Sequence, residues 1–297
     1  MMRFRNLDAA YEALLASTLG SDLVASPRGL ATRELSNVFL AIENPRERFI
    51  TNPARRWSIP LAFGELAWHL SGSRDVEALV SYARVWRKFS SGSTIEGSCY
   101  GHRIFQPAAS GRSQWDICKE ALLADPCTRR AVIQLYDPEQ NYLGSRDVSC
   151  ALNLQFLARE GALDATVFMR SNDVYFGFPY DVFLYTNLQE LMAVELGLRL
   201  GTYHHFATSL HLYEKDASKA ADVLRVTSRS TFVDLPLASS TERRQFCEAE
   251  ASIRTGSKDH FGIQFSDEFW KQKCQLLVDA HSGERGRSFY SALLHGR

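Results

Sequence analysis

Four groups of residues in this chain have the types and spacing to do chemistry. Cys150 lies in an apolar run, 148–157, and a thiolate there would be a strong nucleophile. Taken alone, a free cysteine is more often a small buried hydrophobe, so its neighbours decide its meaning. The stretch from Met169 to Asp181 crowds Arg170, Ser171, Asp173 and Asp181 into one Gly/Pro-containing loop between two apolar segments. Polar loops held by rigid elements are where binding groups concentrate, although such a loop also satisfies its own turns. Arg129 and Arg130 stand together just before an apolar segment. Guanidinium groups grip planar anions such as phosphate or carboxylate, while exposed pairs are commonly just solvated. His211 and Tyr213 alternate onto one face of a strand-like segment, placing two hydrogen-bonding groups side by side.

Composition narrows the possible partners. The 297 residues carry 34 basic and 34 acidic side chains, and 45% are hydrophobic. That is ample apolar surface for a core, which excludes a disordered chain. Zero net charge supplies no uniform basic field, so a nucleic-acid polymer is not the expected partner. Only seven of the 34 basic residues are lysines, an excess of arginine that composition bias accounts for unless particular arginines hold anions. None of the six cysteines forms a Cys-x-x-Cys pair, so no zinc knuckle is expected and no metal is assigned. An even cysteine count could suggest disulfides, but a chain long enough to build a core and a charged start (Arg3, Arg5, Asp8) without an apolar signal run point to a reduced, cytoplasmic protein. The longest stretch without Asp, Glu, Lys or Arg, 200–213, holds three histidines and is too short to cross a bilayer.

Elements must position these groups. Spacing predicts helices over 7–19, over 63–85 with a break near Ser71-Gly72-Ser73, and over 116–124. A loop is expected at 90–93. The period then changes: 131–136 and 148–157 read as strands, and a turn at Glu160-Gly161 joins the second to a strand over 164–169. Residues 183–198 are apolar almost all round, the mark of a buried central helix. Residues 210–213 read as a strand end, and 269–280 as an amphipathic helix. With no Pro/Gly/Ser-rich linker, 1–297 is expected to be one α+β domain.

The order of these groups resembles thymidylate synthase and its sister, deoxycytidylate hydroxymethylase, over roughly residues 7–215. The family's cysteine followed five residues later by Gln-Phe appears as Cys150 with Gln155 and Phe156. Its Arg-Ser-x-Asp-Val segment appears as Arg170 to Val174, its Gly-x-Pro-Phe-Asn turn as Gly177 to Asp181, and its His-x-Tyr as His211 to Tyr213. Upstream, its Glu-Leu-x-Trp-x-Leu-x-Gly is Glu65 to Gly72, and its Tyr-Gly is Tyr100-Gly101. Trp86 falls where the family has a tryptophan beside folate. Arg28 falls at its flexible phosphate-binding arginine, after a one-residue insertion. So many matches in one order are more specific than any single motif.

The resemblance implies a fold with a large mixed β-sheet packed by helices, and a reaction at pyrimidine C5 with 5,10-methylenetetrahydrofolate as co-substrate. It implies that Cys150 adds to C6, with Glu65, Arg170 and Tyr100 as catalytic groups. Substrate contacts would come from Arg28, Ser171, Asp173, Asp181, His211, Tyr213 and Gln155, and folate contacts from Trp86, Asp173 and Gly177. Arg129 and Arg130 would reach the phosphate of the other subunit in a homodimer. Arginines near Cys150 are expected to lower its thiol pKa.

Three departures refine this picture. Asp181 stands where uridylate synthases carry Asn and cytidylate hydroxymethylases carry Asp, so a cytidine monophosphate (CMP or dCMP) is the expected substrate and 5-hydroxymethylation the expected reaction. Ser149 and Ala151 replace the family's usual Pro and His around the cysteine. The tail, Ser288 to Arg297, lacks the synthase closing sequence. A C5 methylase acting on UMP, dUMP or a cytidylate is the alternative, and a nucleotide- or RNA-binding relative is the reading outside enzymology. Phage-type DNA modification and a nucleoside-antibiotic pathway both fit.

Overall fold

The structure, a computed structural model, describes the chain except residues 91, 141–143, 227–231, 258 and 282–297. The tail departure noted above lies outside the described residues. In chain order the elements are β1 (Met2–Phe4), α1 (Leu7–Leu19), β2 (Val24–Ala25), β3 (Thr32–Ile42), α2 (Ile59–Leu70), α3 (Val76–Val80), α4 (Tyr100–Phe105) and α5 (Gln114–Ala124). Then follow β4 (Val132–Gln134), β5 (Ala151–Arg159), β6 (Ala162–Met169), β7 (Asn172–Asp173), α6 (Gly177–Glu195), β8 (Arg199–Tyr213), α7 (Ala217–Leu224), α8 (Arg243–Thr255) and α9 (Glu268–His281).

The strands form one mixed sheet in the order β1-β3-β8-β6-β5-β4, with β2 beside β3 and β7 beside β8. β5 and β6 make the expected hairpin. Glu160 (φ 51°) and Gly161 (φ 72°) both turn left-handed at its tip, the backbone that matches strand twist in a two-residue turn. The longest strand, β8, runs antiparallel to β3 and parallel to β6. Sequence reading gave only its last four residues and missed β3. Histidines, glycine and threonines blur the apolar alternation of β8, and its support comes from two neighbouring strands rather than from its own pattern.

Alternation decides the two faces. Leu163, Ala165, Val167 and Met169 of β6 are fully buried, as are Tyr203, His205 and Ala207 of β8. They face α6, which is buried from Phe178 through Ala193 apart from the half-buried Asp181. α6 starts earlier than its apolar pattern implies, because Pro179 is tolerated in a first turn where its missing N–H costs nothing. On the other face Phe39 and Phe168 each pack on Phe206, and Phe39 also on His204. That face stays partly exposed, with Phe39 at 38%.

The C-terminal third belongs to the same core. α8 buries Phe246, Ala249 and Ile253, a helical stripe that sequence reading missed among its many charges. α9 sends Lys273 inward to Asp234, at 2.9 and 3.0 Å, beside the buried Arg48–Glu190 ion pair. No helix among the described residues is long and apolar enough to cross a membrane.

Candidate active site

Cys150 is not inside a strand. β5 begins at Ala151, so Cys150 is the last residue of the preceding loop, and its carbonyl accepts from the Arg170 N–H just past the end of the β5–β6 ladder (2.9 Å). The Arg170 guanidinium folds back over that loop. Its Nε donates to the Ser149 carbonyl (2.8 Å), its Nη2 donates to the Val148 carbonyl (2.9 Å), and Nη2 lies 3.9 Å from Cys150 Sγ. One arginine therefore fixes the loop and places positive charge beside the sulfur.

The rest of the loop is pinned by a carboxylate that sequence reading missed. Asp147 is buried and accepts from the N–H groups of Gly97 and Ser98, both at 2.8 Å, and from the Ser98 hydroxyl at 2.6 Å. Next in sequence, Tyr100 opens α4, and its hydroxyl accepts from the Ala151 N–H at 3.4 Å. Gly101 explains the Tyr-Gly pair: a Cβ there would sit 1.9 Å from the His69 carbonyl of α2, so only glycine lets α4 approach. Burial holds the Tyr100 hydroxyl protonated, well above its ordinary pKa.

Glu65 comes from α2, and the Trp86 indole N–H donates to it at 3.1 Å. Enclosure pushes its carboxyl up to about 8. Asp181 sits in the first turns of α6, pushed up to about 7 by enclosure and more weakly by Asp173, against the hydrogen bond from Asn172. Two carboxyls therefore exchange protons near neutral pH within one site.

The short β7–β8 pairing sets Asp173 opposite His211. Asp173 also accepts from the Tyr175 N–H (2.9 Å) and the Phe176 N–H (3.3 Å), shaping the entry to α6. Burial raises the Asp173 pKa and lowers that of His211, opposing the charged form of each. The Tyr213 ring meets His211 edge-on at 5.1 Å. Arg28 stands on an exposed loop with left-handed backbone (φ 55°), and its charge acts on Cys150, His211 and Tyr213 alike. Gly177 lies against Asn172 and Asp181.

Cys150, Tyr100, Glu65, Trp86, Arg28, Arg170, Asp173, Gly177, Asp181, His211 and Tyr213 are thus brought to one end of the sheet, with Ser171 between Arg170 and β7. Three residues stand apart. Arg129 and Arg130 are exposed in the lead to β4. Gln155 alternates away from the buried Leu154 and Phe156 and donates to the Arg129 carbonyl at 3.1 Å. The expected fall in the Cys150 pKa is also not what the free site gives. Burial pushes the thiol up to about 11; Asp181 and Asp147 add to this, and Arg170 and Arg28 oppose it without winning. Among the described residues no group of His, Cys, Asp and Glu is arranged to hold a metal.

A thiol under a guanidinium, two carboxyls pushed up toward neutrality, and exposed arginines nearby are the kinds of group that covalent chemistry on a hydrogen-bonding, anion-bearing substrate would use. The chain belongs to the thymidylate synthase family, whose pattern matches residues 10–254. Its relatives include the deoxyuridylate hydroxymethyltransferase of Bacillus phage SP01, 30% identical over 221 residues, covering 69% of this chain and 57% of the relative. The protein of the same name from Delftia phage PhiW-14 is 29% identical over 212 residues (67% and 57%). The thymidylate synthase of Bacillus licheniformis is 26% identical over 181 residues (59% and 64%). The matched region thus spans about three-fifths of the length of these relatives.

Proposed function

We propose that this chain hydroxymethylates C5 of a cytidine monophosphate, CMP or dCMP, with 5,10-methylenetetrahydrofolate as one-carbon donor, and that 1–297 acts as one catalytic unit. Asp181 carries the choice of base. The cytosine edge offers an acceptor at N3 and a donor at the 4-amino group, the reverse of uracil at both positions. A carboxyl that keeps a proton near pH 7 donates to N3 and accepts from the amino group. An ionised Asp181 facing N3-protonated cytosine is the same complex with the proton moved. Either form stabilises the charge that develops when sulfur adds at C6.

Cys150 is the nucleophile. Its high pKa in the free site means that the thiolate must be generated on binding, with Arg170 overhead and Arg28 nearby favouring the charge. The nucleotide phosphate would be held by Arg28, Arg170 and Ser171, and its sugar by His211 and Tyr213. Tyr100 and Glu65 hold protons beside the ring. Methylenetetrahydrofolate supplies the one-carbon unit. Trp86, Asp173 and Gly177 suit its flat heterocycle: the indole is held by Glu65, and Asp173 and Gly177 lie together at the entry to α6.

The phage relatives support the hydroxymethyl product, while the substrate in their names is a deoxyuridylate, so the base assignment rests on Asp181. The partly exposed aromatic row on the outer sheet face and the exposed Arg129 and Arg130 support a homodimer in which these arginines, with Gln155 behind them, serve the partner's phosphate site. We place the protein in the cytoplasm, with no nucleic-acid polymer as partner.

The test is to incubate the protein with methylenetetrahydrofolate and each of CMP, dCMP, UMP and dUMP, and to weigh the products. A hydroxymethyl adduct on a cytidylate is expected. A methyl product with release of dihydrofolate would establish the C5 methylase instead, and no turnover with any of the four would favour a binding protein. Cys150→Ala should abolish turnover and retain nucleotide binding.

A further inference from the structure

Behind Asp181 lies a chain of hydrogen bonds that none of the reacting groups explains. Asn172 Nδ2 donates to Asp181 Oδ2 at 2.7 Å. Asn172 Oδ1 lies 3.0 Å from His205 Nε2, and His205 Nδ1 lies 2.9 Å from the Tyr203 hydroxyl. Asn172 is 3% exposed, and His205 and Tyr203 are fully buried on the core face of β8. Each link therefore lacks water as an alternative partner.

The direction of the chain is anchored at the Asn172 amide, whose Nδ2 donates to Asp181 and whose Oδ1 therefore faces His205 as an acceptor. Burial keeps Tyr203 protonated, well above its ordinary pKa, so its hydroxyl has a proton to give. Burial drives His205 down to about 3, so the ring is neutral and carries one N–H. Facing the Asn172 oxygen, Nε2 carries that N–H and donates, which leaves Nδ1 to accept from the Tyr203 hydroxyl. Donation thus runs from Tyr203 through His205 and Asn172 to Asp181. Oδ2 of Asp181 is always an acceptor in this arrangement, so a carboxyl proton is confined to Oδ1.

We propose that Tyr203, His205 and Asn172 are positioning residues that form a directional relay fixing which oxygen of Asp181 donates and which accepts, and so set the base preference of the site. This deepens the reading of Asp181 as the base reader and rests on it. With the relay intact, Asp181 offers the base a donor at Oδ1 and an acceptor at Oδ2, the complement of cytosine N3 and its amino group. With the relay reversed, the amide carbonyl would face Oδ2, take the carboxyl proton and leave Oδ1 as an acceptor.

Two measurements test the relay. Nitrogen-15 histidine NMR of the wild-type protein reads the His205 tautomer directly: the Nε2–H form is expected, and the Nδ1–H form overturns the proposal. Tyr203→Phe removes one oxygen and keeps the ring. It is expected to lower the ratio of kcat/KM for the preferred base over the other by about tenfold, mainly through KM, as loss of one orienting hydrogen bond implies. An equal fall for both bases means a merely structural role and overturns the proposal. If the wild type prefers a uridylate, the cytidylate reading fails by itself, and the relay is still judged on the tautomer and on whether the ratio moves.

Discussion

Asp181 and Glu65 show how enclosure sets chemistry at a single side chain. If Asp181 reads cytosine through one shared proton, cytidylate affinity should weaken as pH rises above about 7, approaching tenfold per unit, because the complex takes up that proton. Glu65, pushed to about 8, titrates close by, so the control is Asp181→Asn measured over the same range. That variant should lose the step near pH 7 and shift kcat/KM toward uridylate by about 10²-fold or more. An unmoved base ratio would remove Asp181 from the role of reader. Glu65 makes a separate prediction about stability. Its folded pKa lies above the unfolded value, so the folded state holds the extra proton and stability falls as pH rises from about 4.5 to about 8. Glu65→Gln lacks this cost. Its melting temperature should exceed that of the wild type by a margin that grows across that window and vanishes near pH 4, while turnover falls. Thermal melts at several pH values check it.

At the scale of elements, the site depends on how closely helices approach the Cys150 loop. α4 carries Tyr100 and is held against α2 through Gly101, where a Cβ would collide with the His69 carbonyl. Gly101→Ala should therefore push α4 outward and cost roughly 1–3 kcal/mol or more, as overpacking does. The Tyr100 hydroxyl would leave the Ala151 N–H, and kcat should fall more than KM rises. Denaturant melts and steady-state kinetics together check this. An unchanged kcat with lowered stability would separate Tyr100 from the chemistry. The same scale explains which elements were legible. α1, the β5–β6 hairpin, α6 and α9 announce themselves by period and turn residues. β3, β8 and α8 do not, because their stability comes from neighbours across the sheet or core rather than from a clean local pattern.

For the whole molecule, the open aromatic face and the exposed arginine pair lead to one expectation. If Arg129 and Arg130 complete a partner's site, a Cys150→Ala protein and an Arg129→Ala/Arg130→Ala protein, each nearly inactive alone, should recover activity when unfolded and refolded together. Random pairing makes half the dimers mixed, and each mixed dimer holds one intact site, giving about a quarter of wild-type activity. No recovery, with dimers present by sedimentation, would place the arginines outside the partner's site.

The sequence by itself determined the candidate reacting groups, because their types and order survive without coordinates: Cys150, the Arg170–Asp173 segment, the Gly177–Asp181 turn and the His211–Tyr213 pair are all local patterns. It also determined the class of element around each, since turn residues and hydrophobic period are short-range signals. Only the tertiary structure decided the electrostatics. Burial raises the Cys150 thiol although arginines stand beside it, and the same enclosure brings Glu65 and Asp181 to the edge of neutrality. Only the tertiary structure joined Asn172 on β7 to His205 and Tyr203 on β8, residues about thirty apart in sequence, because a long-range contact between buried side chains is encoded by no local pattern.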